Sequence, residues 1–232
     1  MTDVVCVNWG TKYGVEYTLR LYNMVKRNTT KDFKFYVLTD QYIYKQPINI
    51  AQLNPGFEGW WNKLQMFDPD ILPEGEWLYF DLDIVIVDNI DCFFEWESFG
   101  IIRDFIRPEE GLLPGKEFNS SVMRFNNYDY QGIWTYYLSN MHQFHDMQKQ
   151  INFFGDQNVI SSYLNHYPDV CNSFPDEWLW SYKKGVERGK HAGDRSKMFG
   201  DTIPEGGKIA VFHGSPNPTE VLDVDWVKEH YR

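Results

Sequence analysis

The segment 77–87, with the sequence WLYFDLDIVIV, places two carboxylates inside the richest apolar run of the chain. Its β-branched and aromatic residues predict a buried strand. Because side chains alternate between the two faces of a strand, Asp81 and Asp83 would point the same way. Two buried carboxylates on one face repel each other and are poorly solvated unless a proton or a cation relieves them.

A divalent cation is the natural partner for such a pair. Hard cations take oxygen ligands and complete their shell with water and substrate phosphates when the protein supplies few carboxylates. Asp81 and Asp83 therefore indicate a metal-diphosphate site. The alternative is a pair of carboxylates at a strand end that backbone N–H groups or a lysine satisfy.

The segments before and after this run alternate between strand and helix patterns. Residues 4–7 predict a strand, 13–26 a helix and 33–38 a second strand. This βαβ order favours a parallel sheet with a ligand crevice at the carboxyl ends of its strands. The later elements expected are a short helix over 60–67, mostly helix over 127–154, a helix over 155–166, a polar loop over 175–207 and a strand over 208–212.

Length and charge exclude several classes of protein. With 232 residues and no visible linker, we expect a single domain over 1–232. The 22 Lys and Arg residues against 33 Asp and Glu residues give a net charge of −11, which disfavours nucleic acid and anionic lipid as partners. No segment reaches the roughly 20 apolar residues of a membrane span, and the amino terminus predicts no signal peptide. Three widely separated cysteines suit reduced thiols in a cytoplasmic protein.

His213 follows the expected strand 208–212 directly, where a strand end would meet the crevice. Neutral imidazole binds transition metals, but a histidine at such a place is also often a hydrogen-bonded structural residue. Together with Asp81 and Asp83, His213 would complete a manganese site. Gly214 begins a turn whose backbone is open to a phosphate.

Several short motifs occur in a fixed order along the chain. They are the loop after the first strand, YFDLD at 79–83, FNSSVM at 118–123, GDQN at 155–158 and FHG at 212–214 with prolines after it. In this order they resemble the GT-A-fold nucleotide-sugar glycosyltransferases, and among them family 8, which includes glycogenin and galactosyltransferases. The resemblance extends from residue 4 to about residue 218.

The resemblance implies the GT-A fold, an α/β fold with a mainly parallel central sheet flanked by helices. It implies that Asp81, Asp83 and His213 bind Mn²⁺ or Mg²⁺, which bridges the diphosphate of a UDP-sugar donor, and that the acceptor is a glycan or another hydroxyl compound. The positions matching the family's nucleotide- and sugar-binding residues are Val7, Asn8, Trp9, Tyr13, Lys63, Asp81, Leu82, Asn119, Ser120 and Gly214. Asp156 and Gln157 match the family's Asp-Gln pair near the reacting sugar, although Asp156 would also suit a helix N-cap.

One motif departs from the family pattern. The family often ends its late motif with Gly-x-x-Lys-Pro, whose lysine contacts the diphosphate, whereas Asn217 stands at that place here. Arg103 and Lys183 are candidates for the missing cation. The pairs Trp60-Trp61 and Trp178-Leu179-Trp180 could form the floor of an acceptor-sugar site, although core packing is the commoner use of such rings.

Two other functions remain compatible with these motifs. The chain could be a non-catalytic sugar- or nucleotide-binding protein of the same fold. It could also be a metal-dependent nucleotidyltransferase or phosphohydrolase, since these enzymes use paired aspartates. They normally need more carboxylates or a Gly-rich basic loop near the amino terminus, and the sequence has neither.

Overall fold

The computed structural model describes residues 1–105, 118–149, 153–167, 171–183 and 202–232. The strands in these ranges are β1 (Thr2–Asn8), β2 (Phe35–Thr39), β3 (Ile48–Gln52), β4 (Glu76–Phe80), β5 (Ile84–Ile86), β6 (Phe99–Arg103), β7 (Phe118–Asn126), β8 (Cys171–Ser173), β9 (Leu179–Ser181) and β10 (Ile209–Val211). The α-helices are α1 (Val15–Asn28), α2 (Asp91–Phe94), α3 (Gly132–Met147), α4 (Asp156–Asn165) and α5 (Asp225–His230). In the same described ranges, 3₁₀ helices span Gly59–Phe67 and Pro218–Glu220.

The described strands form a larger sheet in the order β3-β2-β1-β4-β7-β6-β8 and a smaller sheet in the order β5-β10-β9. In the larger sheet, β7 is antiparallel to both of its neighbours, and the remaining pairs are parallel. The predicted βαβ unit is present, because β1 and β2 pair in parallel across α1. The expected mainly parallel central sheet is confirmed.

The larger sheet is covered on both faces. Along β1, Val4 and Cys6 belong to one core cluster and Val5 belongs to the other. The first cluster includes residues of α1, α5 and the smaller sheet, and the second includes residues of α3, α4 and the 3₁₀ helix Gly59–Phe67. Burial on both faces explains why β1 is a continuous apolar run with no alternation.

The expectation of one central strand over 77–87 is wrong. Strand β4 ends at Phe80, and β5 begins at Ile84 in the smaller sheet, antiparallel to β10. Apart from its two aspartates, the segment 77–87 is apolar because its first half is buried in the larger sheet and its second half in the smaller sheet. The backbone N–H of Asp81 still donates to the carbonyl of Ser121 in the larger sheet, at 2.9 Å. The three residues 81–83 are therefore the crossing from one sheet to the other.

Other expectations were met to within a few residues. The helices expected over 13–26 and 155–166 are α1 and α4, and the strand expected over 208–212 is β10. The short helix over 60–67 is present as a 3₁₀ helix. Within 175–207, the loop expectation is wrong for Leu179–Ser181, which form the buried strand β9, and 184–201 lie outside the described residues.

The sequence predicted reduced cysteines and no membrane-spanning segment. Cys6, Cys92 and Cys171 are all free thiols. Among the helices that the structure describes, none combines the length and apolar character needed to cross a bilayer.

Asp91 ties the start of α2 to the loop after α1. Its carboxylate accepts hydrogen bonds from the Thr29 hydroxyl at 2.6 Å and from the Thr30 N–H at 2.8 Å and hydroxyl at 2.5 Å. Desolvation opposes ionisation, but these hydrogen bonds outweigh it and hold the pKa of Asp91 well below its usual range. A carboxylate with a depressed pKa stabilises the fold at neutral pH and loses that contribution as the pH falls.

We expect Asp91→Ala to lower the free energy of unfolding by about 1–2 kcal/mol at pH 7, because it removes several hydrogen bonds to a charged acceptor. The difference from wild type should shrink as the pH falls below about 4, the ordinary range of an unfolded aspartate. Urea unfolding at pH 7 and pH 3 measures both values. Asp129→Ala, at an exposed position, is the control, and a difference for Asp91→Ala that is equal at both pH values would contradict the assignment.

Candidate active site at the crossing between the sheets

A cavity of about 370 Å³ opens at the carboxyl ends of the parallel neighbours β1 and β4. Its walls come from the loop after β1, the 3₁₀ helix Gly59–Phe67, the crossing 81–83 and the start of α4. The lining residues are Val7, Trp9, Lys12, Tyr13, Gly59, Trp60, Lys63, Tyr79, Asp81, Leu82, Asp83 and Asp156. The fold thus brings most of the residues predicted for donor binding into one cavity, which we call the donor cavity.

Lys63 lies at the centre of a buried polar network. Its ammonium group is 2.9 Å from Asp81 Oδ1 and 3.0 Å from Asp156 Oδ2. It also donates to Ser120 Oγ at 3.2 Å, and the Ser120 hydroxyl donates to Asp156 Oδ2 at 2.6 Å. Tyr79 donates to Asp81 Oδ1, and its ring centroid is 5.1 Å from the ammonium nitrogen. One lysine therefore holds two carboxylates from opposite walls of the cavity.

The charges of this network follow from its burial and pairing. Burial favours the neutral form of Lys63, but Asp156 and Asp81 outweigh it and raise the pKa of the ammonium. Burial also opposes ionisation of Asp81, yet Lys63 and Tyr79 bring the pKa of its carboxyl below the ordinary value. The pKa of Asp156 is raised, because its burial outweighs the effects of Lys63 and Ser120. Lys63 is thus an ammonium ion and Asp81 a carboxylate at neutral pH.

Asp83 has a different environment. It is buried, and its Oδ2 accepts a hydrogen bond from the Tyr13 hydroxyl at 3.3 Å. Burial and the nearby charge of Asp81 raise the pKa of the Asp83 carboxyl, while Lys12, Lys63 and a backbone hydrogen bond from Gly214 oppose the rise. Within the described ranges Asp83 makes no ion pair. Burial and Asp81 thus disfavour a charge that no ion pair offsets in this part of the chain.

The two aspartates fit a hard divalent cation. Both carboxylates line one cavity, and oxygen is the donor that Mn²⁺ and Mg²⁺ prefer. A cation beside Asp83 would relieve the same burial and like-charge repulsion that raise its pKa. In the part of the chain that the structure describes, no three His, Cys, Asp or Glu side chains converge as a complete metal cluster. A cation bound by this pair would take the rest of its coordination shell from other ligands.

His213 is joined to the crossing through its backbone neighbours. The N–H of Phe212 donates to the Asp83 carbonyl at 3.1 Å, and the Gly214 backbone opposes the rise in the pKa of the Asp83 carboxyl. The His213 backbone has a φ of 26°, in the left-handed region that few non-glycine residues adopt. Its Nε2 and Ser181 Oγ are hydrogen-bonded, 2.7 Å apart. The backbone around His213 thus lies beside the crossing, and the role of His213 as a metal ligand stays a prediction.

A neighbouring cavity of about 440 Å³ receives the His213 ring, which stacks on Phe105 with centroids 5.9 Å apart. Three further residues predicted for the donor or the reaction line it, namely Asn119, Gln157 and Gly214. Trp60 lines both this cavity and the donor cavity. The predicted site residues are therefore divided between two adjoining cavities.

Asn8 is the predicted donor residue whose side chain turns into the core. It is buried, and its amide donates to the Tyr44 hydroxyl at 2.7 Å and to Thr18 Oγ1 at 3.2 Å. These bonds fix the end of β1 against α1. The side chain of Asn8 therefore positions the loop whose residues Trp9 and Tyr13 line the donor cavity.

Arg103 and Lys183, the candidates for the cation missing from the late motif, have different partners. Arg103 is half-exposed and pairs with Asp176. Lys183 donates to the His213 carbonyl at 2.9 Å, which places its ammonium beside the Gly214 turn. Asn217 forms a capping box with Glu220 at the start of the 3₁₀ helix Pro218–Glu220.

Lys12 and Tyr79 line the donor cavity but were not predicted from the sequence. Trp60, for which core packing was the commoner expectation, lines it as well. The ammonium of Lys12 lies 4.5 Å from the centroid of the Tyr13 ring, inside the donor cavity. The position of Lys12 in the loop after β1 could have indicated this role, because a cation there can bind a phosphate. Trp60 is 46% exposed, whereas its neighbour Trp61 is buried.

Gly155 holds the Trp60 ring against the start of α4. Its φ of 61° is unfavourable for other residues, and a Cβ there would lie 2.3 Å from the indole. We expect Gly155→Ala to lower the free energy of unfolding by about 2 kcal/mol and to displace Trp60. Urea unfolding and tryptophan fluorescence measure the two effects. Gly75→Ala, where a Cβ meets no atom within 4 Å, is the matched control, and equal results for both variants would contradict this role.

The chain has the GT-A fold of glycosyltransferases. The galactosyltransferase LgtC, in complex with donor and acceptor sugar analogues, aligns over 100% of this chain and 97% of its own, with a TM-score of 0.68 and 13% identity. GlyE of Streptococcus pneumoniae TIGR4 aligns over 94% of this chain and 56% of its own (TM-score 0.64, 14% identity). Mouse xyloside xylosyltransferase 1 aligns over 93% and 98% (TM-score 0.55, 14% identity).

No protein-family model and no curated protein sequence matches the chain. At identities this low, the similarity to solved structures establishes the fold. The GT-A fold implied by the order of the sequence motifs is therefore confirmed.

Proposed function

We propose that the chain is a metal-dependent glycosyltransferase that moves a sugar from a UDP-sugar to a hydroxyl acceptor with retention of anomeric configuration. The observation that carries this proposal is the pair of carboxylates at the carboxyl edge of the parallel strands. Asp83 is buried, and Asp81, which is partly exposed, is paired with Lys63. Ligands of open α/β sheets bind at this edge. The bound donor and acceptor analogues of LgtC support sugar transfer as the reaction.

Asp81 and Asp83 would hold Mn²⁺ or Mg²⁺, and His213 is the third ligand that the motifs imply, although in the described residues its ring does not converge with the two carboxylates. When bound, the cation supplies Lewis acidity and neutralises negative charge on the leaving diphosphate. The protein's own contribution is to keep the two carboxylates in one cavity and to hold Asp81 ionised through Lys63. Leu82, between them, is buried and keeps the crossing in place.

The remaining lining residues divide between nucleotide and sugar. Val7, Trp9 and Tyr13 form an apolar and aromatic wall suited to a base and ribose. Lys12 offers an ammonium group to the diphosphate in the same cavity. Asn119 and Gly214 face the neighbouring cavity, where they would meet the donor sugar.

Asp156 and Gln157 occupy the first turn of α4, between the two cavities. Lys63 and Ser120 both contact Oδ2 of Asp156, which fixes the direction of its carboxylate. We assign Asp156 and Gln157 to steadying the reacting sugar. The acceptor oxygen would then bond the anomeric carbon while the bond from that carbon to the diphosphate breaks, and the diphosphate would take the hydroxyl proton. Attack on the face that the diphosphate leaves gives retention.

A thermal-shift experiment tests the donor and metal together. UDP-sugars with Mn²⁺ should raise the melting temperature of the wild-type protein by about 5–10 °C at ligand concentrations near a hundredfold Kd. Asp83→Ala should abolish the shift, whereas the exposed-site control Asp129→Ala should keep it. Equal shifts in wild type and Asp83→Ala would overturn the metal assignment.

Product analysis distinguishes transfer from binding and retention from inversion. An enzyme releases UDP from a UDP-sugar when Mn²⁺ is present, whereas a binding protein of the same fold releases none. NMR of the early product reports the anomer, and the inverted anomer would overturn retention.

The three free cysteines support our further proposal that the protein acts in the cytoplasm.

A further inference from the structure

A second cavity, of about 540 Å³, adjoins the donor cavity and shares Trp9, Gly59 and Trp60 with it. Its volume lies within the range of about 300–1,000 Å³ that small-molecule sites occupy. The other side chains that form its walls are Glu58, Trp61, His145 and Gln148. It thus combines three indole rings with a carboxylate, an amide and an imidazole.

The rings of this second cavity are held in place. Trp61 is buried and stacks on the His145 imidazole, with centroids 4.8 Å apart and an interplanar angle of 14°. The Tyr137 hydroxyl and His145 Nε2 are hydrogen-bonded, 3.0 Å apart. Trp60 lies edge-on to Trp61 and rests against the backbone of Gly155. The walls are therefore built before any ligand arrives.

We propose that this second cavity binds a pyranose ring of an oligosaccharide acceptor. A sugar ring has an apolar C–H face and a rim of hydroxyl groups. Trp60 and Trp9 offer flat apolar faces to the first, and Glu58, Gln148 and His145 offer hydrogen-bonding groups to the second. A peptide or a lipid chain would make less use of these polar groups.

The length of the acceptor follows from the position of the cavity. Asp81, Asp83 and Asp156 line the donor cavity and are not among the residues that line the second cavity. Trp60 lines both cavities, so a sugar ring bound in the second cavity would lie next to the donor cavity, and we infer that a further sugar unit of the acceptor reaches the donor. This inference rests on the proposed function, because the sugar-transfer reaction defines what an acceptor is.

Binding to an array of immobilised disaccharides to hexasaccharides tests the subsite with the full chain. Wild type should bind at least one glycan, and titration with that glycan in free form gives its Kd. Trp60→Ala and Glu58→Gln should each raise this Kd about tenfold or more, because they remove the stacking face and the carboxylate. Tyr128→Ala, at an aromatic residue that is 56% exposed, should leave the Kd unchanged.

Glu58→Gln changes a single charge and keeps the inference testable if Trp60→Ala fails to fold. The absence of any bound glycan, or an equal Kd in wild type and Glu58→Gln, would overturn the subsite. The UDP-sugar thermal shift separates this result from the proposed function. Donor binding without glycan binding removes the subsite alone, and glycan binding without donor binding removes the proposed function and leaves a carbohydrate site.

Discussion

Replacing Asp83 with Asn is expected to lower kcat/KM for sugar transfer roughly 10³-fold. The substitution keeps the size of the side chain but removes the charge that, in the proposed function, would hold a divalent cation beside the diphosphate, and losing one stabilising partner of a leaving oxyanion has about this effect. Initial rates of UDP release at saturating Mn²⁺ measure it. Activity within tenfold of wild type would show that Asp83 is not a metal ligand.

The same variant should make the ligand-free protein more stable. Burial and the charge of Asp81 both disfavour the Asp83 carboxylate, so the neutral amide should raise the free energy of unfolding by about 1 kcal/mol, or the melting temperature by about 2–4 °C. Gain of stability with loss of activity separates a functional carboxylate from a structural one. A less stable variant would indicate that Asp83 mainly supports the fold.

Replacing Lys63 with Met is expected to lower the free energy of unfolding by about 3–5 kcal/mol. Asp81 and Asp156 lie 2.9 and 3.0 Å from its ammonium, and removing it leaves both carboxylates buried without a cation. Urea unfolding followed by circular dichroism measures the loss. The change should also lower activity, because the direction of Asp156 depends on the same contact.

Two further variants show whether the loss comes from the charges. Adding Asp156→Asn to Lys63→Met should recover part of the stability, because it removes one of the uncompensated carboxylates. Lys31→Met, which breaks the exposed pair with Glu95, should change stability little, since exposed ion pairs contribute little. A small loss for Lys63→Met, or no recovery in the double variant, would contradict this account.

The elements predicted correctly from the sequence are those whose periodic pattern lies within a short segment. The βαβ opening and α4 could be recognised because apolar spacing and turn residues agree over a few residues. Strand β7 (Phe118–Asn126) carries Asn119, Ser120 and Ser121 among its apolar residues, so its propensity is weak and tertiary pairing between β4 and β6 determines it. The single domain over 1–232 stays a prediction.

The crossing 81–83 shows why some features of the fold could not be predicted from the sequence. Periodicity cannot distinguish one long buried strand from two short ones in different sheets, because residues 77–80 and 84–87 are all apolar. The two carboxylates nevertheless line one cavity, although the single strand from which their common direction was predicted is wrong. Pairing of Lys63 with Asp81 and Asp156 joins residues far apart in the chain, and no local pattern indicates it.

Asp81 is anchored by its hydrogen bond to Ser121 in the larger sheet, and Asp83 by its hydrogen bond from Phe212 beside the smaller one. The separation of the two carboxylates is therefore set by the angle between the sheets. A change in packing between those sheets would alter the distance between the two carboxylates, and so the size of the proposed coordination site, with no change in either aspartate. Preference among cations of different radius can thus evolve in the core, far from any residue that touches the ion.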